Sequence, residues 1–96
     1  MMFEWDEQKC ASNLVKHGVD FERAKLIFEG PTLEGADERE YGEKRIGAYG
    51  TVDNEVFFVT YTWRGNRRRI ISARRARTNE QRNYAARIAK TGEFDE

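Results

Sequence analysis

The sequence predicts a small α+β fold in which a twisted antiparallel sheet follows two N-terminal helices and precedes one C-terminal helix. The first observation is that apolar residues alternate over residues 55–63, as in a central strand. The second is that two tight-turn signals, Asp53-Asn54 and Gly65-Asn66, separate this stretch from strand-like stretches on both sides. The third is that helix-capping residues bracket the flanking segments.

The N-terminal part of the chain predicts two short helices. Residues 3–5 could form a short strand or an anchoring arm. Asp6 is a suitable N-cap for a helix that continues to about Lys16, and Gly18 stands where a left-handed C-cap residue is expected. Asp20 caps a second helix, which a Gly-Pro pair ends. One side of the first helix carries a polar stripe that could face a ligand, formed by Lys9, Asn13, Lys16 and His17.

The sheet is predicted as a meander from about Lys44 to Arg75. Before it, residues 32–43 combine glycines with a run of charges and predict an exposed loop or a weak edge strand. The three strand candidates of the meander cover residues 44–52, 55–63 and 67–75.

The last strand candidate carries most of the arginines. Strict alternation would place Arg69, Ile71 and Ala73 on one face of the sheet. The opposite face would then carry Ile70, Ser72 and Arg74. We expect Arg67 and Arg68 to lie in solvent and Arg74 to stand where the strand leaves the core.

The last helix begins at a predicted capping box, with Thr78 as the N-cap and Gln81 at N3. Tyr84 and its helical neighbours can pack on the sheet, and residues 91–96 should fray. We expect residues 1–96 to form a single domain.

The net charge of zero hides an uneven distribution of charge. Residues 1–60 carry a net charge of −6 and residues 61–96 carry +6. A basic face on a neutral molecule can attract phosphates while the acidic part limits non-specific binding. A well-solvated surface with ion pairs between the two halves explains the same composition.

Several classes of protein are disfavoured by the sequence. The single cysteine, Cys10, cannot form an internal disulfide or a multi-cysteine metal site. No glycine-rich phosphate loop is present. No apolar run reaches the ~20 residues that span a bilayer, and the first residues lack the order of a signal peptide, so we expect a cytoplasmic protein without a cofactor.

Cleavage of RNA without a metal fits the residues that remain, because the 2′-hydroxyl of the substrate supplies the nucleophile. The protein must move two protons and stabilise a charged phosphorane, which histidine, carboxylates and arginines can do. The candidates for catalysis are His17, Arg45, Arg74 and Glu80. The candidates for RNA binding are Lys9, Lys16, Arg67, Arg69, Tyr84 and, as stacking surfaces, Tyr61 and Trp63.

Structural roles explain the same candidates. His17 could simply favour a helix C-terminus. Glu80 lies in a first helical turn, where it could pair with Arg45 or Arg74. Aromatic residues such as the two stacking candidates are more often part of a core than a surface for bases.

Six blocks follow one another along the chain: Phe-Glu-Trp-Asp from Phe3, Asn13, Lys-His-Gly-Val-Asp-Phe from Lys16, Arg45-x-Gly47, Arg-Ile-Ile-Ser-Ala-Arg from Arg69, and Glu-x-Arg-x-Tyr from Glu80. In their order and spacing they resemble the BrnT family of type II toxins. The resemblance extends from Phe3 to about Ile88.

This resemblance implies a compact domain similar to the RelE-like ribonuclease toxins and a general or ribosome-independent RNA-cleaving activity. It also implies a BrnA antitoxin with a ribbon-helix-helix DNA-binding domain, usually in a complex of two toxins with two antitoxins that represses its own operon. Four matched positions would carry the active site: His17, Arg45, Arg74 and Glu80. A non-catalytic module that docks such a partner is the alternative, and direct DNA binding is a weaker one because no recognition helix is evident.

Overall fold

The computed structural model describes residues 2–37, 39 and 42–92 of the chain. The elements are, in chain order, β1 Phe3–Glu4, α1 Glu7–His17, α2 Phe21–Ala24, a 3₁₀ segment Lys25–Glu29, β2 Leu33–Asp37, β3 Arg45–Val52, β4 Glu55–Arg64, β5 Arg67–Arg75 and α3 Thr78–Gly92. The strands form one sheet in the order β1-β5-β4-β3-β2. The predicted α+β class is therefore confirmed.

Capping side chains fix the N-terminal helices as predicted. Asp6 accepts hydrogen bonds from the backbone N–H groups of Gln8 and Lys9 at 2.8 and 3.1 Å. Gly18 adopts a left-handed conformation with φ of 69° and donates to the carbonyl of Leu14, which ends α1. Asp20 accepts from the N–H of Glu22 and begins α2 in the same way.

The second helix is shorter than the sequence predicts, because it changes after one turn into the 3₁₀ segment Lys25–Glu29. Phe21, Ala24 and Ile27 are fully buried at a spacing of three, which a 3₁₀ geometry aligns on one side. The segment lies so close to β3 that a Cβ atom at Gly50 would approach the Cβ of Ile27 to 2.6 Å. Gly50 therefore permits this contact.

The meander of β3, β4 and β5 is confirmed, with β4 at its centre. Both residues of the Asp53-Asn54 turn have positive φ, as a two-residue hairpin turn requires. The predicted loop or edge strand contains the edge strand β2, which pairs antiparallel with β3. Residues 38, 40 and 41 of that stretch lie outside the described residues.

The prediction of a fully antiparallel sheet was wrong, because β1 pairs parallel with β5. The pairing covers only two residues, and α1 then follows the same edge of β5. The Asn13 side chain takes the place of a neighbouring strand there. Its amide donates to the carbonyl of Ala73 at 2.8 Å and accepts from the Ala73 N–H at 3.1 Å. It also donates to the carbonyl of Val19.

Strict alternation along β5 was also wrong, because this strand contains a β-bulge. Thr60 pairs with Ser72 and Tyr61 with Ile70, which leaves Ile71 as an extra residue. The extra residue shifts the alternation by one position. Arg69, Ser72 and Arg74 consequently share one face of the sheet, and the buried residues of β5 lie on the other.

The core lies between that other face and the helical segments that precede β2. Its largest members are Phe21, Ile27 and Phe28 from the helical part and Phe57, Val59, Tyr61 and Ile70 from the sheet. Arg68 also lies on this side rather than in solvent as predicted. Its guanidinium carbon is 4.4 Å from the ring centre of Phe28 and 4.6 Å from that of Trp63, so the arginine covers the end of the core.

The predicted capping box of α3 is displaced by one residue. Arg77 is the N-cap, since its carbonyl accepts from the Gln81 N–H, and Glu80 at N3 accepts from the Arg77 N–H at 2.7 Å. The helix continues to Gly92, so residues 91 and 92 are helical, and residues 93–96 lie outside the described residues. None of the described helices is both long and apolar enough to span a membrane.

The Asn13 side chain should be important for stability, because it satisfies three backbone groups and is only 6% exposed. We expect Asn13→Ala to lower the free energy of unfolding by about 3 kcal/mol, since buried polar groups lose their partners. Denaturant unfolding measures this change. Ser12→Ala, at the neighbouring exposed position, is the control. Equal midpoints for wild type and Asn13→Ala would contradict the role of this amide.

Candidate active site

The sheet face opposite the core, here called the outer face, presents three rows of side chains across β3, β4 and β5. Residues paired across neighbouring strands point to the same side, so the pairing defines each row. The first row is Tyr49, Phe58 and Arg74, and the second is Gly47, Thr60 and Ser72. The third row contains the pair Thr62 and Arg69, together with Arg45, which lies two residues before Gly47 on the same face of β3. Strands β3 and β5 thus bring arginines from separate parts of the sequence to one surface.

Arg74 and Glu80 form a two-pronged ion pair at the end of the first row. The two terminal nitrogens of Arg74 donate to the two carboxylate oxygens of Glu80 at 2.8 and 3.0 Å. The hydroxyl of Tyr49 donates to the same carboxylate at 2.7 Å, and the Arg77 N–H completes the set. The guanidinium of Arg74 lies 4.8 Å from the ring centre of Phe58. Arg74 is therefore held in one orientation from two sides.

These contacts determine the charges at this end of the outer face. The hydrogen bonds from Arg74, with further ones from the Arg77 N–H and Tyr49, lower the pKa of Glu80 to about 2 although burial opposes this. Burial and the contact with Glu80 raise the pKa of Tyr49. At neutral pH, Glu80 is consequently a charged and fully engaged acceptor, which suits it to orient Arg74 rather than to exchange a proton.

The polar stripe of α1 faces a common cavity, as the sequence suggests. The cavity has a volume of about 220 Å³ and lies between α1 and β5. Its lining consists of Lys9, Ser12, Asn13, Lys16, His17, Ile71 and Ser72. The bulge at Ile71 and the end of α1 therefore meet here.

Ser72 connects the α1 cavity with Arg74. It lines the cavity, and it precedes Arg74 by two residues on the outer face. Two residues along a strand span about 7 Å, which is close to the size of one nucleotide unit. The cavity that His17 lines and the Arg74–Glu80 pair thus adjoin the same short stretch of β5.

The third row lies farther from Arg74. Arg69 forms an ion pair of 2.7 Å with Glu4 of β1, and Arg45 stands on β3 beyond Gly47. The β4 members of the first and third rows, Phe58 and Thr62, are four positions apart, which corresponds to about 13 Å along the strand. Arg45 and Arg74 therefore share a face without being adjacent.

The other predicted RNA-binding residues separate into exposed and buried ones. Arg67 is exposed at the start of β5, and Trp63 is 46% exposed beside Arg68. Tyr61 is 2% exposed and its hydroxyl donates to Glu34, so its ring belongs to the core and is not an open stacking surface. Tyr84 is also buried and donates to the carbonyl of Pro31.

Three residues of the site were not among the predicted ones: Tyr49, Phe58 and Ser72. The alternation of β3 already put Tyr49 on the same side as Arg45 and Gly47, and this was the available signal. In the described part of the chain, no group of three or more His, Cys, Asp or Glu side chains could hold a metal ion.

Residues 5–80 match a family model described as a ribonuclease toxin, BrnT, of type II toxin-antitoxin systems. The matched stretch contains the α1 stripe and all three rows of the outer face, and it ends at Glu80. No curated protein matches the chain.

A carbon-13 NMR titration of the Glu80 carboxyl group should have its midpoint at about pH 2. Arg74→Ala removes the largest cause of the lowered pKa, so the midpoint should rise toward the ordinary value of 4.5. Tyr49→Phe removes one hydrogen bond and should produce a smaller rise. A wild-type midpoint near 4.5 would contradict the Arg74–Glu80 pair in solution.

The Arg74–Glu80 pair should also affect how the free energy of unfolding depends on pH in acid. The pKa of Glu80 is lower in the folded state, so its contribution to stability is present above about pH 4.5 and is lost as the pH falls toward 2. We expect the unfolding free energy of Glu80→Gln to vary less between these pH values than that of wild type. Glu22→Gln, which removes an exposed carboxylate paired with Lys25, is the control.

Proposed function

Because the chain belongs to the BrnT family of ribonuclease toxins of type II toxin-antitoxin systems, we propose that it cleaves RNA on the outer face of its sheet without a metal ion. The observation that carries this proposal is the position of Ser72 between the cavity that contains His17 and the Arg74–Glu80 pair. A proton-transfer group and an anion-binding group thereby face one nucleotide-sized stretch of β5. Transesterification of RNA requires at least these two kinds of group, one that transfers protons and one that binds the anionic phosphate.

In the proposed reaction, the 2′-hydroxyl of one nucleotide attacks the adjacent phosphorus. The bond from phosphorus to the 5′-oxygen of the next nucleotide breaks, leaving a 2′,3′-cyclic phosphate and a 5′-hydroxyl. His17 accepts the proton of the 2′-hydroxyl, and a protonated neighbour or water returns one to the 5′-oxygen. Lys16, beside His17, supplies positive charge near the departing oxygen.

Arg74 binds the reacting phosphate in this proposal. A guanidinium has five donors, of which Glu80 takes one from each terminal nitrogen and the carbonyl of Arg75 takes a third, so two donors remain for phosphate oxygens. We assign Glu80 to orient Arg74, since its carboxylate already accepts from Arg74, Tyr49 and the Arg77 N–H. The rigid pair avoids the cost of ordering a free arginine when the phosphorane forms.

The remaining cations extend this site along the RNA backbone. Arg45 and Arg69 belong to the third row, which lies about 13 Å from the first row along the strands, and they suit a phosphate further along the RNA. Lys9 continues the path along α1, and the exposed Arg67 adds charge at the start of β5. We expect these residues to change affinity more than the rate of the chemical step.

A type II toxin-antitoxin family implies a protein antitoxin as partner. We propose that this partner is BrnA-like, with a ribbon-helix-helix domain that binds operator DNA, in a complex of two toxins and two antitoxins. We also propose that the fold is RelE-like, which the sheet with its core on one face and an outer face of arginines supports. The acidic N-terminal and basic C-terminal parts of the chain supply complementary charge for such contacts.

Arg74→Ala should reduce the turnover of RNA cleavage by about 10²-fold or more, because a donor to the developing charge is lost. His17→Ala should cause a loss on the order of 10²-fold through the missing base. Purified protein with a labelled RNA in EDTA measures both values. Arg23→Ala is the matched control, since Arg23 makes ion pairs with Asp53 and Glu55 away from the outer face.

Three outcomes would contradict the proposal. Full activity of an Arg74→Ala, His17→Ala double variant would remove the assigned site. RNA that stays intact while the purified chain binds an antitoxin would instead favour a non-catalytic docking module. Loss of cleavage in EDTA, with recovery on added metal, would contradict the metal-independent mechanism.

A further inference from the structure

A second cavity adjoins Arg74 on the outer face, and the proposed cleavage reaction does not use it. Its volume is about 550 Å³, and it lies between β2 and Arg87 of α3. The floor consists of Gly47, Tyr49 and Phe58 from the first two rows. Among these floor residues, Phe58 contacts Arg74, which we assign to the phosphate.

The floor is aromatic, and Gly47 leaves room for the Phe58 ring because it has no side chain. A Cβ atom at this position would lie 2.5 Å from the Cζ atom of Phe58, so the Phe58 ring rests directly on the backbone of β3. The Tyr49 ring lies beside it, with 4.6 Å between the ring centres. Phe58 is half-buried, so part of this aromatic surface faces the cavity.

The rim of the cavity is polar and carries charges of both signs. Asp37 and Arg39 form an ion pair on one side, with 2.8 Å between carboxylate and guanidinium. Arg87 contributes a guanidinium from the other side. Carboxylates accept hydrogen bonds and guanidiniums donate them, and the edge of a nucleobase offers partners for both.

We propose that this cavity binds one unpaired nucleobase of the RNA, stacked on the Phe58 ring beside Tyr49, with its phosphate on Arg74. The Arg74 guanidinium lies over the Phe58 ring, 4.8 Å from its centre, so the group assigned to the phosphate and the aromatic surface are in direct contact. Sequence-selective proteins read single-stranded RNA by stacking splayed bases in this way. The inference rests on the proposed function and adds that the substrate is single-stranded at the cleaved position.

Binding of uncleavable RNA tests this site apart from the chemistry. The probes are 2′-O-methyl RNA decamers in which one base at a time is removed to leave an abasic sugar, and the readout is the dissociation constant. For wild type, we expect loss of the base at one position to weaken binding about 10- to 100-fold, the range for stacking on an aromatic side chain. Removal of bases elsewhere should have much smaller effects.

Phe58→Leu keeps apolar bulk on the strand but removes the flat ring. We expect it to weaken binding of the intact decamer and to abolish the penalty at the sensitive position, since the base then has no surface to lose. Val56→Leu is the matched control, because Val56 precedes Phe58 by two residues on the same strand and does not line the cavity. Gly47→Ala tests the same floor from β3, where the new methyl group must displace the Phe58 ring.

The outcomes separate this inference from the proposed function. RNA that is cleaved by wild type while every abasic decamer binds equally would overturn the base site and leave the cleavage proposal intact. A sensitive position whose penalty persists in both Phe58→Leu and Gly47→Ala would also overturn it, since the base would then lie elsewhere. Absence of both cleavage and RNA binding would overturn the proposed function and this site with it.

Discussion

The bulge in β5 determines which arginines reach the outer face. Ile70 and Ala73 are both buried although they are three residues apart, and only an extra residue between them allows this. Without the bulge, Ser72 and Arg74 would share the face of Ile70 and point into the core, where an arginine carries a large desolvation cost. The one extra residue, Ile71, thus allows a single strand to contribute apolar side chains to the core and arginines to the outer face.

The edge of β5 is the second constraint, because it connects stability with the arrangement of the site. Asn13 substitutes for a strand by bonding both backbone groups of Ala73, and this fixes α1 along the edge. The same attachment turns His17 and Lys16 toward Ser72. A helix that was free to slide would lose this alignment, so the buried amide has a consequence for the site without touching it.

Interactions between residues close together in the sequence were sufficient to predict much of the fold. Caps at Asp6 and Asp20, the left-handed residue Gly18 and the alternation of β4 each depend on neighbouring residues alone. The bulge could not be predicted, because it depends on the register with β4. The parallel pairing of β1 and the role of Tyr49 could not be predicted either, because both depend on residues far apart in the sequence. The partner of Tyr49, Glu80, is 31 residues away. Burial of Tyr61 and Tyr84 likewise depends on tertiary packing.

Glu80 illustrates how closely folding and chemistry can be connected in so small a molecule. One of its oxygens caps the first turn of α3 through the Arg77 N–H and also holds Arg74, while the other holds Arg74 and Tyr49. A substitution at this position therefore has two effects, because it removes the ion pair that orients Arg74 and the cap that stabilises the first turn of α3. A natural substitution of Glu80 would need two compensating changes. A second-site change that restored only the helix cap would leave Arg74 without the partner that orients it.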